Sequence, residues 1–182
     1  MVLSGSLPQG LRPDAYAQLI RGAHRAGIKT ILDCDGAALK HAILARPFLV
    51  KPNEHELAQW FGKPLRSEAS ILKAARSLSA AAQGWVVVSL GKRGAMLVNE
   101  TEQVRCCARP PKVSPINTVG AGDAMVAAIV RQIELGASPQ DWLRAGVAVG
   151  TAATQCAAGE LPKPALIQSV LSRVSLDGGF KH

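Results

Sequence analysis

The tetrapeptide Gly120-Ala121-Gly122-Asp123 lies where a loop gives way to an apolar helical pattern. Glycines at such a place let the backbone approach a ligand closely. The unpaired N–H groups of the helix start point outward with the positive end of the helix dipole, so the turn suits phosphate oxygens. Asp123 is out of place in a plain anion cradle, because a carboxylate competes with the anion. Its presence makes chemical sense if it accepts a proton from a hydroxyl that attacks the phosphate. Cradle and base within four residues form a phosphoryl-transfer arrangement. The tetrapeptide alone leaves open the alternative of an Asp that helps to cap a helix.

Two further segments place polar residues where a parallel sheet presents its ligands. In FLVKPNEHEL a strand ends at Lys51 and Pro52 breaks the chain. Asn53 and Glu56 then stand three residues apart on a first helical turn, the spacing of a capping box. In VVVSLGKRGAMLV a β-branched run ends in Ser89-Leu90-Gly91-Lys92-Arg93-Gly94. That puts a flexible turn at the carboxyl end of a parallel strand, the usual ligand crevice of an open α/β sheet; ordinary hairpin glycines are the alternative for Gly91 and Gly94.

The elements that must position these residues alternate along the chain. Asp14 to Ala26 reads as a helix stopped by Gly27, Lys29 to Asp33 as a short buried strand, and Gly36 to Ala45 as a helix stopped by Pro47. Phe48 to Val50 follows as a strand, Glu54 to Phe61 and Glu68 to Ala82 as helices, and Trp85 to Leu90 as a strand. Such alternation predicts an α/β fold with a mostly parallel sheet covered on both faces. The runs AMLV and VRCCA, on either side of the polar turn Asn99 to Gln103, predict a hairpin at the sheet edge. After Pro110-Pro111 comes the glycine turn with its helix, ended by Gly136. Ser138-Pro139-Gln140-Asp141 then has the cap, first-turn Pro and acid of a last long helix running to about Cys156.

Composition narrows the function classes. A chain of 182 residues with 48% hydrophobic residues can bury one substantial core, and one domain over residues 1–182 is expected. No apolar stretch approaches the roughly 20 residues that cross a bilayer, and MVLSGSLPQG lacks the regions of a signal peptide, so a soluble, cytoplasmic protein without a membrane partner is expected. Cys34, Cys106, Cys107 and Cys156 show no metal-ligand spacing and read as reduced. The net charge of +8 is spread singly through helices and turns, and three Phe, three Trp and one Tyr make a poor stacking platform, which argues against a nucleic-acid partner.

The stretch NTVGAGDAM resembles the signature of the PfkB-family (ribokinase-like) carbohydrate kinases, and KPNEHEL, SLGKRG and VAVGTAAT follow the family's order and spacing from about Val2 to Val174. The resemblance implies ATP and Mg2+ as cofactors and a phosphorylated hexose as substrate. It makes Asp123 the base that deprotonates the acceptor hydroxyl, with Gly120, Ala121 and Gly122 forming the anion hole. Lys51, Asn53, the loop from Ser89 to Gly94 and Thr151 fall on its nucleotide-binding positions, and Glu56 on a residue that holds Mg2+ through water. For Thr151 a threonine packed in its helix through a backbone bond is the alternative.

Ser6, in GSLP, falls near the sugar in the family's phosphosugar kinases. The phosphofructokinase branch fits best, with fructose 6-phosphate as acceptor and fructose 1-phosphate or tagatose 6-phosphate as near alternatives. A full-length member would be a homodimer with a ribokinase-like three-layer sandwich. Its first strands, β-lid and most sugar contacts precede GSLP and have no counterpart here, so the expectation is a catalytic half with a weak acceptor site, or a nucleotide-binding remnant without turnover. TQCAAGELPKP departs from the family's Asn- and Gly-containing loop, and no cation site is assigned to it.

Overall fold

The computed structural model describes residues 1–178. Along the chain, β1 (Val2–Ser4), α1 (Ala15–Arg25), β2 (Ile31–Asp33), α2 (Gly36–Ile43), β3 (Leu49–Val50), α3 (Glu54–Phe61), α4 (Glu68–Ala82) and β4 (Trp85–Ser89) come first. A 3₁₀ turn (Gly91–Arg93) leads to β5 (Ala95–Asn99), β6 (Val104–Arg109), α5 (Ala121–Glu134), α6 (Pro139–Ala153), α7 (Pro164–Leu171) and β7 (Ser175–Asp177). The strands form a seven-stranded, mostly parallel sheet in chain order. The chain divides into two compact units, one of Met1–Val88 with Val98–Arg105, the other of Ser89–Leu97 with residues 106–178.

The first unit is a parallel βα array. Register pairs Leu3 with Leu32, Leu32 with Val50, and Val50 with Val86, so one row of apolar residues crosses four strands. These strands are short and apolar on both faces because helices cover both sides. Ile20, Leu39, Ile43, Leu57, Ile71 and Leu78 are fully buried, and each such side chain contributes about 1.5–3 kcal/mol by leaving water. The amphipathic spacing that predicts these helices is therefore the spacing of their buried faces. At the entry to β4, the buried Ser79 hydroxyl donates to Gly84 O at 2.7 Å and accepts from Glu100 N at 2.9 Å, satisfying groups that burial would otherwise strand.

In the second unit β7 pairs antiparallel with β6, matching Cys107 with Asp177 and Arg109 with Ser175. This corrects the expected edge hairpin, since β7 takes the outer place beside β6. An ion pair between Arg109 Nε and Asp177 Oδ2 at 2.8 Å accompanies the pairing. Cys106 and Cys107 are both buried, and all four cysteines are free. Met125, Val126 and Ile129 of α5 are buried, as are Leu143, Val147, Ala148 and Ala152 of α6. Ser138 Oγ accepts from Asp141 N and Pro139 opens α6, as its sequence predicts, although the helix ends at Ala153, short of Cys156. Among the described residues no helix is long and apolar enough to cross a membrane.

Candidate functional site

The first unit gathers polar groups at the carboxyl ends of β1, β2 and β3. Gly5 N, just past β1, donates to Asp33 O at 2.9 Å, and Lys51 N, just past β3, donates to Leu32 O at 2.9 Å. Lys51 is buried, and its Nζ lies 3.0 Å from Asp33 Oδ1, where the two side chains keep 5% and 15% of their exposure. Asp33 is a site residue that sequence reasoning missed. Only the register of β2 on β3 brings it beside Lys51, so no local pattern marks it. Ser6 is exposed on the turn after β1, which the Tyr16 hydroxyl ties down through Ser4 O and Gly5 O, each at 3.1 Å. Val2–Ser4 forms β1, and Ser6 follows it in the turn.

Asn53 and Glu56 form the capping box that their spacing predicts. Asn53 Oδ1 accepts from Glu56 N at 2.9 Å, and Glu56 Oε2 accepts from Asn53 N at 2.9 Å. Asn53 Nδ2 also donates to Glu56 Oε1 at 2.6 Å. Each carboxylate oxygen keeps lone pairs for a further partner, so capping leaves water-mediated metal contact chemically open. The nearby Cys34 thiol is pushed up to about 12, first by burial and then by Asp35, Asp33 and Glu56. It stays a neutral thiol under the influence of these three carboxylates. Among the described residues, no three His, Cys, Asp or Glu side chains gather to cage a metal.

The second unit holds the glycine turn. Gly120 adopts φ 78°, the left-handed conformation that glycine takes without strain, and has no side chain to cap α5. Ala121 N donates to Thr118 O at 3.3 Å, a long bond within the turn. Gly122 and Asp123 are exposed on the first turn of the helix. Asp123 stands inside the helix rather than at its cap position, as an acid that the dipole favours. Behind the turn, Ile116 N and Asn117 N both donate to Thr154 O, at 2.7 and 3.1 Å, and Asn117 Oδ1 accepts from Val119 N at 3.1 Å. Thr151 is half-buried on α6, and its carbonyl accepts the Thr154 hydroxyl at 2.7 Å.

The loop from Ser89 to Gly94 is closed by Leu90 N to Gly94 O at 2.8 Å and Gly94 N to Gly91 O at 2.9 Å, leaving Lys92 and Arg93 exposed. Gly94 has a structural reason to be glycine. Its φ is 92°, and a Cβ there would lie 1.9 Å from Ala108 O.

A cation–carboxylate pair at the strand ends of one unit, and a glycine turn followed by a carboxylate in the other, are residue types that phosphate-handling enzymes use. The family model described as pfkB family carbohydrate kinase matches residues 1–166, and the chain belongs to that family of phosphotransferases. The chain is 47% identical over 133 residues to a 1-phosphofructokinase of Xanthomonas campestris, covering 71% of this chain and 41% of the relative. To the ATP-dependent 6-phosphofructokinase isozyme 2 of Escherichia coli it is 39% identical over 156 residues, covering 85% and 50%. The tetrameric inhibited form of phosphofructokinase-2 from Escherichia coli superposes with a TM-score of 0.82 at 36% identity, covering 94% of this chain and 55% of that one. The chain thus spans about half the length of the curated relatives it matches, and its fold is the ribokinase-like α/β fold of the family.

Proposed function

We propose that the chain supplies the nucleotide-binding and catalytic part of an ATP-dependent phosphofructokinase, both units belonging to one carbohydrate-kinase domain. The observation that carries the reading is the carboxylate of Asp123 on the exposed first turn of α5, directly after the left-handed Gly120. Asp123 takes the proton from a sugar hydroxyl as that oxygen forms its bond to the γ-phosphorus and the bond to ADP breaks. Amides of the glycine turn stabilise the charge developing on the transferred group. Lys51 offers its ammonium to phosphate oxygens, and the Ser89–Gly94 loop and Thr151 border the nucleotide. Ser6 faces the sugar. Glu56 would hold Mg2+ through water, and the ion would supply neutralisation of phosphate charge.

The sequence favours fructose 6-phosphate as acceptor, but the 47% identity to a 1-phosphofructokinase moves fructose 1-phosphate ahead of it. The enzyme works in the cytoplasm on soluble sugar phosphates and self-associates, as a homodimer in its full-length form; a tetrameric inhibited form is described for the Escherichia coli relative. Calorimetric ATP titration beside a coupled ADP-release assay with fructose 1-phosphate, fructose 6-phosphate and tagatose 6-phosphate tests the reading. ATP binding with turnover on one fructose phosphate supports it. Binding without turnover on any of them identifies a nucleotide-binding remnant, and absence of ATP binding removes the proposal.

A further inference from the structure

We infer that the last turn of α6 is the seat of the glycine turn, with Gly150 and Asn117 as positioning residues for the γ-phosphate end of the nucleotide; this rests on the proposed function.

Two different kinds of contact converge there. The first is steric: a Cβ added to Gly150 would lie 3.1 Å from Ala121 O and 3.4 Å from Met125 Cβ. One turn earlier on α6, a Cβ at Gly146 would meet Ile129 Cγ1 at 2.9 Å and Met125 Cγ at 3.1 Å, atoms of flexible side chains. Gly146 therefore serves helix packing. Gly150 instead faces main chain, and that main chain is the residue following Gly120 in the turn. The second contact is a hydrogen-bonded anchor. Thr154 O, the carbonyl just past α6, takes both Ile116 N and Asn117 N, and the Asn117 side chain passes the constraint on to Val119 N, next to Gly120. The turn is thus held from the helix side at Ala121 and from the loop side at residues 116–119, by elements about thirty residues later in the sequence. Misplacement of an anion hole by a few tenths of an ångström weakens the hydrogen bonds it offers, while distant parts of the ligand are unaffected.

Gly150→Ala separates this role from packing. Alanine is the better helix former, so the substitution supports α6 while pressing on Ala121. In the 182-residue chain we expect the unfolding temperature to hold or rise. Affinity for ATP should fall about tenfold, the worth of one hydrogen bond to a charged group, with the affinity for ADP changed by less than about twofold. Asn117→Ala, which removes the acceptor of Val119 N, should give the same ATP-selective loss and serves should Gly150→Ala not fold. Unchanged ATP affinity in both variants overturns the inference. So does a parallel loss of ATP and ADP affinity together with stability, which marks a packing role. A wild-type chain that binds neither nucleotide removes the proposed function, and the inference with it.

Discussion

Asp33→Asn tests the buried ion pair at the strand ends. Lys51 Nζ and Asp33 Oδ1 are 3.0 Å apart, with the side chains 5% and 15% exposed. At an effective dielectric near 20 their attraction is about 5 kcal/mol, and removing one partner of a buried pair costs about 3–5 kcal/mol because the other charge stays uncompensated. Asparagine keeps an oxygen that can accept from the ammonium, so the expected loss is about 2–3 kcal/mol. For a chain of this size that lowers the thermal midpoint by about 5–10 °C. The assay is thermal unfolding followed by circular dichroism, without and with saturating ATP. ATP at about a hundred times its dissociation constant stabilises a folded protein by about 2.7 kcal/mol. The variant should gain more than the wild type, because a phosphate meets the ammonium that Asp33 no longer neutralises. The double variant Asp33→Asn/Lys51→Met should be less destabilised than Asp33→Asn alone. An Asp33→Asn midpoint within about 0.5 kcal/mol of wild type, beyond the usual effect of surface substitutions, would refute the buried-pair argument. A variant stabilised by ATP no more than wild type would refute the assignment of Lys51 to phosphate.

Three other outcomes are expected. In a kinase that contains this chain and turns over, Asp123→Asn should lower kcat by roughly 10²- to 10⁴-fold with ATP affinity nearly unchanged, and wild-type turnover would take Asp123 out of the mechanism. Gly94→Ala combines a φ of 92° with a Cβ 1.9 Å from Ala108 O, so it should cost more than the ~1 kcal/mol of left-handed strain alone, read as a lower urea midpoint; an unchanged midpoint would show that the Ser89–Gly94 loop shifts freely. Burial holds the Cys34 and Cys106 thiols up to about 12 and about 11. Both values lie above the ~8.5 of an unfolded thiol, so this stability is complete below pH ~8.5 and is lost as pH rises toward 11–12. Urea midpoints between pH 7 and 10.5 should therefore fall, less steeply in Cys34→Ala, and a flat profile would contradict the burial of both thiols.

What could be read from the sequence is what local physics decides. The bounds of α3 and α4 coincide with the predicted Glu54 to Phe61 and Glu68 to Ala82, because caps at Asn53 and Ser67 announce each start and the buried stripe repeats within each helix. The left-handed Gly120 and the acid beside it are equally local. β3, only Leu49 and Val50, was found because Pro47 and Pro52 bracket it. By contrast β7 is three exposed residues whose only reason to be a strand is β6, and no pattern within Ser175–Asp177 carries that information.

Asp33 was lost for a related reason: its partner Lys51 lies on the next strand, and only the register Leu32↔Val50 makes them neighbours. The distinction bears on the site itself. The residues proposed to react sit at element ends, where cap, glycine and helix dipole can be read from a few residues. The groups that place them, the carbonyl of Thr154 behind the glycine turn and the carboxylate of Asp33 beside Lys51, come from other elements and act through backbone or through a single ion pair. A carbonyl has no residue type, so sequence cannot mark it. Substituting the type-marked residues therefore tests the chemistry, whereas testing the positioning requires residues such as Gly150 and Asp33, whose importance lies in what they stand against.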